Sequence, residues 1–422
     1  MELKRVVVTG LGAITPLGND VATTWANALK GMSGAGPITH FDASLFKTHF
    51  ACEVKDFNHE DYGMDRREAR RLDLYAQYAI ASAKQALEDS QLLDDNAGTN
   101  RDNVGVIYAS GIGGLHTFEQ EAGYYAQHAA DGPRYNPFFI PKMIADIAAG
   151  HISMRWELRG PNFGVVSACA TSTNAMIDAF NYVRLGKAEA IVTGGSEAPI
   201  FPAGVGGFNV MKALSTRNDS PETASRPMSG SRDGFVIGEG AVCLIFEELE
   251  HALKRGAKIY GEVIGGGMSA DAYHITATHP EGLGAKLVMQ RALDDAGIRP
   301  EDVDYINVHG TSTPVGDVSE VKAITDVFGK HAYDLSISST KSMTGHMLGA
   351  TGAMEALFCL LACKEGIVPP TINHADDDKD ENIDYNLDFT FNKAKEREIN
   401  IALSNTFGFG GHNATIVVKK WK

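Results

Sequence analysis

The stretch Phe163-Gly164-Val165-Val166-Ser167-Ala168-Cys169-Ala170-Thr171-Ser172 decides the architecture. Its apolar opening predicts a strand over 163–167, and the small polar residues behind it predict a turn into a helix of about fifteen residues. Along that helix Ala175, Met176, Ala179, Phe180 and Val183 share one face, and Gly186 supplies the stop. Cys169 stands at the junction. Unpaired backbone N–H groups and the positive end of the helix dipole are expected to acidify a thiol placed there.

Outward from this point the same grammar repeats. Strands are predicted over 5–9, 104–109, 190–193, 240–247, 258–264, 303–308, 335–339, 399–404 and 414–418. Helices are predicted over 72–90, 284–296, 317–328 and 349–363, with Asp317 and Glu320 reading as a capping box. Strands alternating with helices argue for a layered α/β fold. The element order is similar on either side of residues 250–258, although no residue-level repeat is visible by inspection.

The 422 residues are 44% hydrophobic and 22% charged, with 45 glycines gathered in short loops beside apolar runs. That composition suits a large globular core with many strand–loop–helix junctions. Acids outnumber bases by 53 to 38, a net charge of −15, which disfavours a general nucleic-acid surface. Five cysteines without regular spacing, no secretory leader and no apolar run long enough to cross a bilayer make a reducing cytoplasm the expected location.

Beyond Cys169, two histidines end up in polar loops: His309 in His-Gly-Thr-Ser-Thr-Pro, at the carboxyl end of a strand, and His346 in Lys-Ser-Met-Thr-Gly-His. α/β proteins place ligand chemistry at such strand ends. Glu355 falls in an otherwise apolar helix and calls for a cation, so a Lys341–Glu355 pair is expected to hold the loop and orient His346. A thiol and two imidazoles are the parts for acyl transfer through a thioester. Cys52, Cys243, Cys359 and Cys363 read as core residues. In the closing glycine turn, 405–413, two phenylalanines are expected to line a cavity, and backbone N–H groups there can face an oxyanion. Gly10-Leu11-Gly12-Ala13-Ile14-Thr15 lacks the third glycine of a dinucleotide fingerprint, and nicotinamide binding is rejected. Residues 374–382, rich in Asp, read as a solvated loop or an insertion. Arg66-Arg67-Glu68-Ala69-Arg70-Arg71 reads as a solvated helix entry, or as a face for an acidic partner if the chain is an acyl-transfer enzyme.

Several motifs in order carry a resemblance along almost the whole chain: Ser-Ala-Cys169-Ala-Thr-Ser, Ala213-Leu-Ser-Thr-Arg-Asn-Asp219, Arg232-Asp-Gly-Phe-Val-Ile-Gly-Glu-Gly240, His309-Gly-Thr-Ser-Thr-Pro-Val-Gly-Asp317, Lys341-Ser-Met-Thr-Gly-His346 and Gly408-Phe-Gly-Gly411. Together they resemble the β-ketoacyl-acyl-carrier-protein synthases, most closely the synthase II type. The resemblance implies a thiolase-like duplicated five-layered αβαβα fold. Residues 1–255 would form the half carrying the nucleophile, and 256–422 the half carrying the two histidines, in a homodimer without a cofactor.

The same resemblance implies decarboxylative condensation of an acyl-Cys169 intermediate with malonyl-acyl carrier protein. Cys169, His309, His346, Lys341 and Phe409 would be catalytic, with the N–H groups of Cys169 and Phe409 forming the oxyanion hole and Glu355 supporting Lys341. Ile112, Phe208, Phe235, Thr311, Thr313, Phe407 and Gly408 would contact substrate. Arg67, Arg70, Arg71, Arg134 and Lys212 would dock the acyl carrier protein. Asn307, Glu355, Ser404 and Asn405 would hold a monovalent cation. Two histidines separate this branch from the synthase III type, and the final loop lacks the second cysteine of thiolases. Thr406 and His412 depart from the usual serine and threonine. Two alternatives share the motifs: a specialised ketosynthase of polyketide or aryl-polyene-type lipid synthesis, and a non-catalytic acyl-carrier-binding partner subunit.

Overall fold

The computed structural model describes residues 3–422. Ten strands make one continuous mixed sheet: β1 (Val6–Ile14), β2 (Val104–Ala109), β3 (Asn162–Phe163), β4 (Ala190–Glu197), β5 (Gly240–Glu248), β6 (Gly261–Ala270), β7 (Tyr305–Asn307), β8 (Ser336–Ser338), β9 (Ile401–Gly408) and β10 (His412–Lys420). Their order is β3-β2-β4-β5-β1-β6-β10-β9-β7-β8. Each run of five has the same pattern. Its first strand pairs antiparallel with its fifth, the fifth antiparallel with the fourth, the fourth parallel with the second, and the second parallel with the third. β1 and β6 join the runs, Val6–Val8 against Gly261–Val263. The repeat that residue identities hide is explicit in the topology.

Helices α1 (Leu74–Ser90), α2 (Leu115–His128), α3 (Thr171–Arg184), α4 (Leu283–Ala296), α5 (Pro314–Phe328) and α6 (Thr351–Glu365) complete the main framework. α3 and α6 lie in the middle. Met176, Phe180, Leu357 and Phe358 pack there against Val8 and Leu244 from one half-sheet and Ile416 and Val418 from the other. The whole of α6 from Thr351 to Cys363 is buried, which is why it shows no polar face. α1 covers the outer side of the first half-sheet, with Tyr75, Ala79 and Leu87 against Val106 and Ile245. α4 and α5 cover the second, with Val288, Leu293 and Ile324 against Ile306 and Leu403. The layers run α, β, α, β, α.

Glycines set how closely the outer helices approach. A Cβ on Gly10 would sit 2.2 Å from the carbonyl oxygen of Ala86, and one on Gly12 2.0 Å from that of Ser82, both in α1. In the second half a Cβ on Gly267 would meet Val288 O of α4 at 2.3 Å. The opening glycine motif is therefore helix-on-sheet packing.

Three expectations change. The strand expected over 163–167 is only Asn162–Phe163, because it is an edge strand paired with β2 alone and the chain leaves the ladder after two residues. Asp317 and Glu320 do not cap α5. That helix opens at Pro314 behind Thr313, so both acids lie inside it and turn to buried partners elsewhere. The acidic stretch is also no free loop. Asp378 accepts from Ser231 N at 2.7 Å and Ser231 Oγ at 2.6 Å, and Asp380 accepts from Arg232 at 2.8 Å.

Candidate active site

Cys169 sits in a 3₁₀ turn, Ala168–Ala170, that runs directly into α3. The turn starts at Ala168 with φ +51°, a left-handed conformation that tips the cysteine toward the space between the halves. His346 follows the short helix Lys341–Thr344 and is pinned on both sides: its N–H donates to Val236 O at 2.7 Å and its carbonyl accepts from Gly238 N at 2.9 Å. His309 lies just past β7, where its N–H and that of Gly310 donate to Glu320 at 2.9 and 2.8 Å.

These elements bring one sulfur and two rings together. The ligand atoms of Cys169, His309 and His346 all lie within 4.8 Å of one another. His346 Nε2 is 3.1 Å from Cys169 Sγ, and the two imidazoles meet edge to face at 5.3 Å. Nδ1 of His346 is 3.0 Å from Thr351 Oγ1. Thr351, rather than the Lys341–Glu355 pair, therefore orients the ring, since its hydroxyl can serve either tautomer. Lys341 contacts Glu355 directly, each side chain being 2% exposed.

Burial disfavours charge on all three members of the trio. Burial pushes the Cys169 thiol up to about 12, against the Lys341 charge and the backbone N–H groups of Phe409 and Cys169 itself. The sequence expectation of an acidified thiol is overturned, because loss of hydration outweighs the helix terminus. Burial and the Lys341 charge hold both histidines well below the ordinary imidazole value. Burial raises Glu355 to about 8 and Glu320 to about 7, with Lys341 pulling the first back and the N–H groups of Gly310 and His309 the second.

The trio lies in a cavity of about 500 Å³ whose wall includes Ile112, Phe208, Phe235, Phe407, Gly408 and Phe409. Phe208 and Phe235 pack edge to face at 5.3 Å, and Phe235 lies 5.3 Å from the His346 ring. The other side of the cavity is the polar loop of Thr311 and Thr313. A separate cleft gathers Arg66, Arg67, Arg70 and Arg71 beside Phe138, with the Arg71 guanidinium 4.9 Å above the Phe138 ring. Arg134 is exposed outside that cleft, and Lys212 is exposed beside Met211 at the main cavity.

Asn307 and Ser404 are register neighbours on β7 and β9, and Asn405 follows. Ser404 Oγ and Glu355 Oε2 are buried with no protein partner, so this set fits a monovalent cation. Sequence reasoning missed Glu320, Thr351 and Glu197. Asn405 Nδ2 donates to Glu320 at 3.3 Å, which brings that acid to the same group. Glu320, set among Asp317, Ser319 and Lys322, carried no signal of the kind that the apolar helix around Glu355 gave.

The sequence matches the model of the β-ketoacyl synthase N-terminal domain over residues 3–252 and that of the C-terminal domain over 260–375. It is 51% identical over 421 residues to 3-oxoacyl-[acyl-carrier-protein] synthase 2 of Staphylococcus aureus (strain N315), covering 99% of each chain. It is 50% identical over 421 residues to the protein of that name from Coxiella burnetii (strain RSA 493 / Nine Mile phase I), covering 100% of this chain and 99% of that one. Among solved structures, a β-ketoacyl synthase from Burkholderia phymatum STM815 aligns with a TM-score of 0.89 at 32% identity, over 99% of this chain and 100% of that one. A type II polyketide ketosynthase in complex with its acyl carrier protein aligns with a TM-score of 0.90 at 31% identity over the full length of both.

Proposed function

The chain belongs to the β-ketoacyl synthase family, and from that membership we propose how its site works as a 3-oxoacyl-[acyl-carrier-protein] synthase of the synthase II type in fatty acid chain elongation. One observation carries the assignment of roles: a thiol and two imidazoles converge within 4.8 Å at the meeting of an apolar wall and a polar loop. Residues 1–255 supply the thiol and 256–422 both imidazoles. The dimer and the cytoplasmic location belong to the same proposal.

In the first step the carrier-bound acyl group transfers to Cys169. The Cys169 sulfur bonds to the acyl carbon, the thiol proton passes by way of His346 Nε2, and the carrier leaves as a free thiol. The N–H groups of Cys169 and Phe409 hold the oxygen that becomes negative. In the second step a malonyl thioester binds with its carbonyl oxygen toward His309 and His346. The bond to its carboxylate breaks, carbon dioxide leaves, and the electron pair moves into an enolate whose oxygen accepts from the imidazole N–H groups. The enolate carbon then attacks the acyl-Cys169 carbonyl, the C–S bond breaks, the departing Cys169 thiolate takes up one proton from solvent to restore the resting thiol, and the chain is two carbons longer.

Thr311 and Thr313 line the arm that carries each thioester, and Ile112, Phe208 and Phe235 border the acyl chain. Arg67, Arg70 and Arg71 form the docking face for an acidic acyl carrier protein, with Arg134 and Lys212 at its margins. A monovalent cation held by Asn307, Glu355, Ser404 and Asn405 would satisfy the buried oxygens behind the histidines and fix their loops.

The test is mass spectrometry of the intact chain after incubation with an acyl-acyl carrier protein. The acyl mass should appear on Cys169 and vanish in Cys169→Ala, with the fold retained. His309→Ala and His346→Ala should lose malonyl decarboxylation more than self-acylation. Absence of any adduct on the native chain would return the non-catalytic carrier-binding reading.

A further inference from the structure

The nucleophile's turn has a geometric twin. Ala168–Ala170 leads into α3 at Thr171, and Leu348–Ala350 leads in the same way into α6 at Thr351. Both turns start on a non-glycine residue in the left-handed region, Ala168 at φ +51° and Leu348 at φ +45°. Superposing the two series sets Gly349 where Cys169 stands. The second half thus keeps the backbone of a nucleophile turn without the nucleophile.

A carboxylate meets this empty turn. Glu197, at the end of β4 and fully buried, accepts from Gly349 N at 2.9 Å and from Gly111 N at 2.9 Å on one oxygen. On its other oxygen it accepts from Ser110 Oγ at 2.8 Å and Ile112 N at 3.1 Å. Only neutral hydrogen-bond donors oppose its desolvation, and no cation pairs with it among the described residues. A Cβ on Gly349 would come within 2.5 Å of its oxygen, so glycine is required for the contact. Burying an unpaired carboxylate is costly, and four converging donors offset that cost only while all of them are held in place.

What those donors carry is the wall of the acyl side. Gly111 and Ile112 come from the first half, and Gly349 sits next to Leu348 from the second. Ile112 and Leu348 belong to one apolar cluster with Phe235 and Phe208, and all four line the cavity. We propose that Glu197 is a positioning residue that ties the Gly111–Ile112 wall to the vacated turn and so sets which acyl chains reach Cys169. This rests on the ketosynthase reading of the same cavity. It is independent of the decarboxylating side, where Lys341, His309 and His346 act.

Glu197→Gln tests it. The amide presents an NH₂ to at least one N–H that needs an acceptor, so one strap of the wall must open. Self-acylation of Cys169 should be followed by mass spectrometry with carrier-bound acyl groups from four to sixteen carbons, alongside malonyl decarboxylation and thermal unfolding. The ratio of rates between the best and worst chain lengths should change at least about fivefold, while decarboxylation changes less than the acylation ratio. Glu197→Asp, which keeps the charge, should restore part of the native profile. Ser110→Ala, which removes one donor and leaves the carboxylate, should shift the profile the same way to a smaller extent and carries the test if Glu197→Gln does not fold. An unaltered chain-length profile in the folded variant overturns the proposal, as does a uniform fall of both reactions. Failure of the native chain to acylate at all would instead sink the ketosynthase reading.

Discussion

Replacing Asp380 by asparagine probes how the acidic stretch steadies the mouth of the cavity, through Arg232. The Arg232 side chain is 1% exposed and donates to Ser229 O at 2.7 Å, Thr313 O at 3.1 Å and Pro314 O at 2.7 Å. Two of those carbonyls belong to the loop that lines the polar side of the cavity. Its charge faces Asp317 at 3.4 Å, fully buried, and Asp380 at 2.8 Å, whose side chain is 18% exposed. Burial alone would raise the Asp380 pKa, but Asn382 N–H and Arg232 override it and hold the group below its ordinary value. In Asp380→Asn the guanidinium keeps Asp317 and all three carbonyls, so the loss is one charge-assisted hydrogen bond, about 1.5–3 kcal/mol. Asp317→Asn strips the fully buried partner and should cost more, about 3–5 kcal/mol. Urea unfolding at fixed chain concentration gives the order, and steady-state kinetics gives the consequence: KM for the carrier-borne thioester should rise severalfold in Asp380→Asn with kcat nearly constant. A loss under about 0.5 kcal/mol with KM unmoved would make the stretch an ordinary solvated loop and refute the reasoning.

Since burial sets the Cys169 thiol at about 12, its alkylation by iodoacetamide in the free enzyme should accelerate about tenfold per pH unit from pH 7 to 10; a plateau below pH 9 means the helix terminus wins after all. Burial raises Glu239 to about 7, with His40 and Val54 N–H pulling it back. A raised carboxylate pKa gives stability that is full below the unfolded value and is lost as pH climbs through about 7. Native stability should therefore fall by up to about 1.4 kcal/mol per pH unit from this group over pH 5–7, and Glu239→Gln should remove that slope. Equal slopes in the two proteins count against it. Arg70→Glu with Arg71→Glu should weaken binding of the acyl carrier protein, the deficit being largest at low salt and shrinking as salt screens the native attraction. Equal affinities at low salt would move the docking face elsewhere.

Much of the site was legible because its chemistry is announced by residues in improbable places. A cysteine between an apolar run and a helix, a histidine at a strand's carboxyl end and a glutamate inside an apolar helix each break a local pattern. What stayed hidden depends on which backbone N–H a side chain finally meets. Glu320 read as part of a cap with Asp317, and only the fold turns it onto His309 and Gly310. Glu197 closes an ordinary strand, and its four donors come from residues far away in sequence. The duplication was hidden for a similar reason. It resides in strand order and in turns such as Ala168-Cys169-Ala170-Thr171 and Leu348-Gly349-Ala350-Thr351, which share two residues out of four.

With the roles proposed for the trio, burial that disfavours charge on it would favour condensation over simple loss of carbon dioxide. Malonate enters carrying one negative charge on its carboxylate. When carbon dioxide leaves, that charge stays and moves to the enolate oxygen, so the site needs donors in a new position and no added charge. An imidazolium there would be a strong enough acid to protonate the carbanion, and the reaction would stop at an acetyl thioester. Burial and the Lys341 charge shift both rings toward the neutral form, which can still donate. The cation is in turn restrained by Glu355, in direct contact, and by Glu320, which feels the same charge. Positive charge is thus near enough to depress the histidines but too engaged to act as an acid itself, and the enolate's carbon remains free to attack the thioester on Cys169.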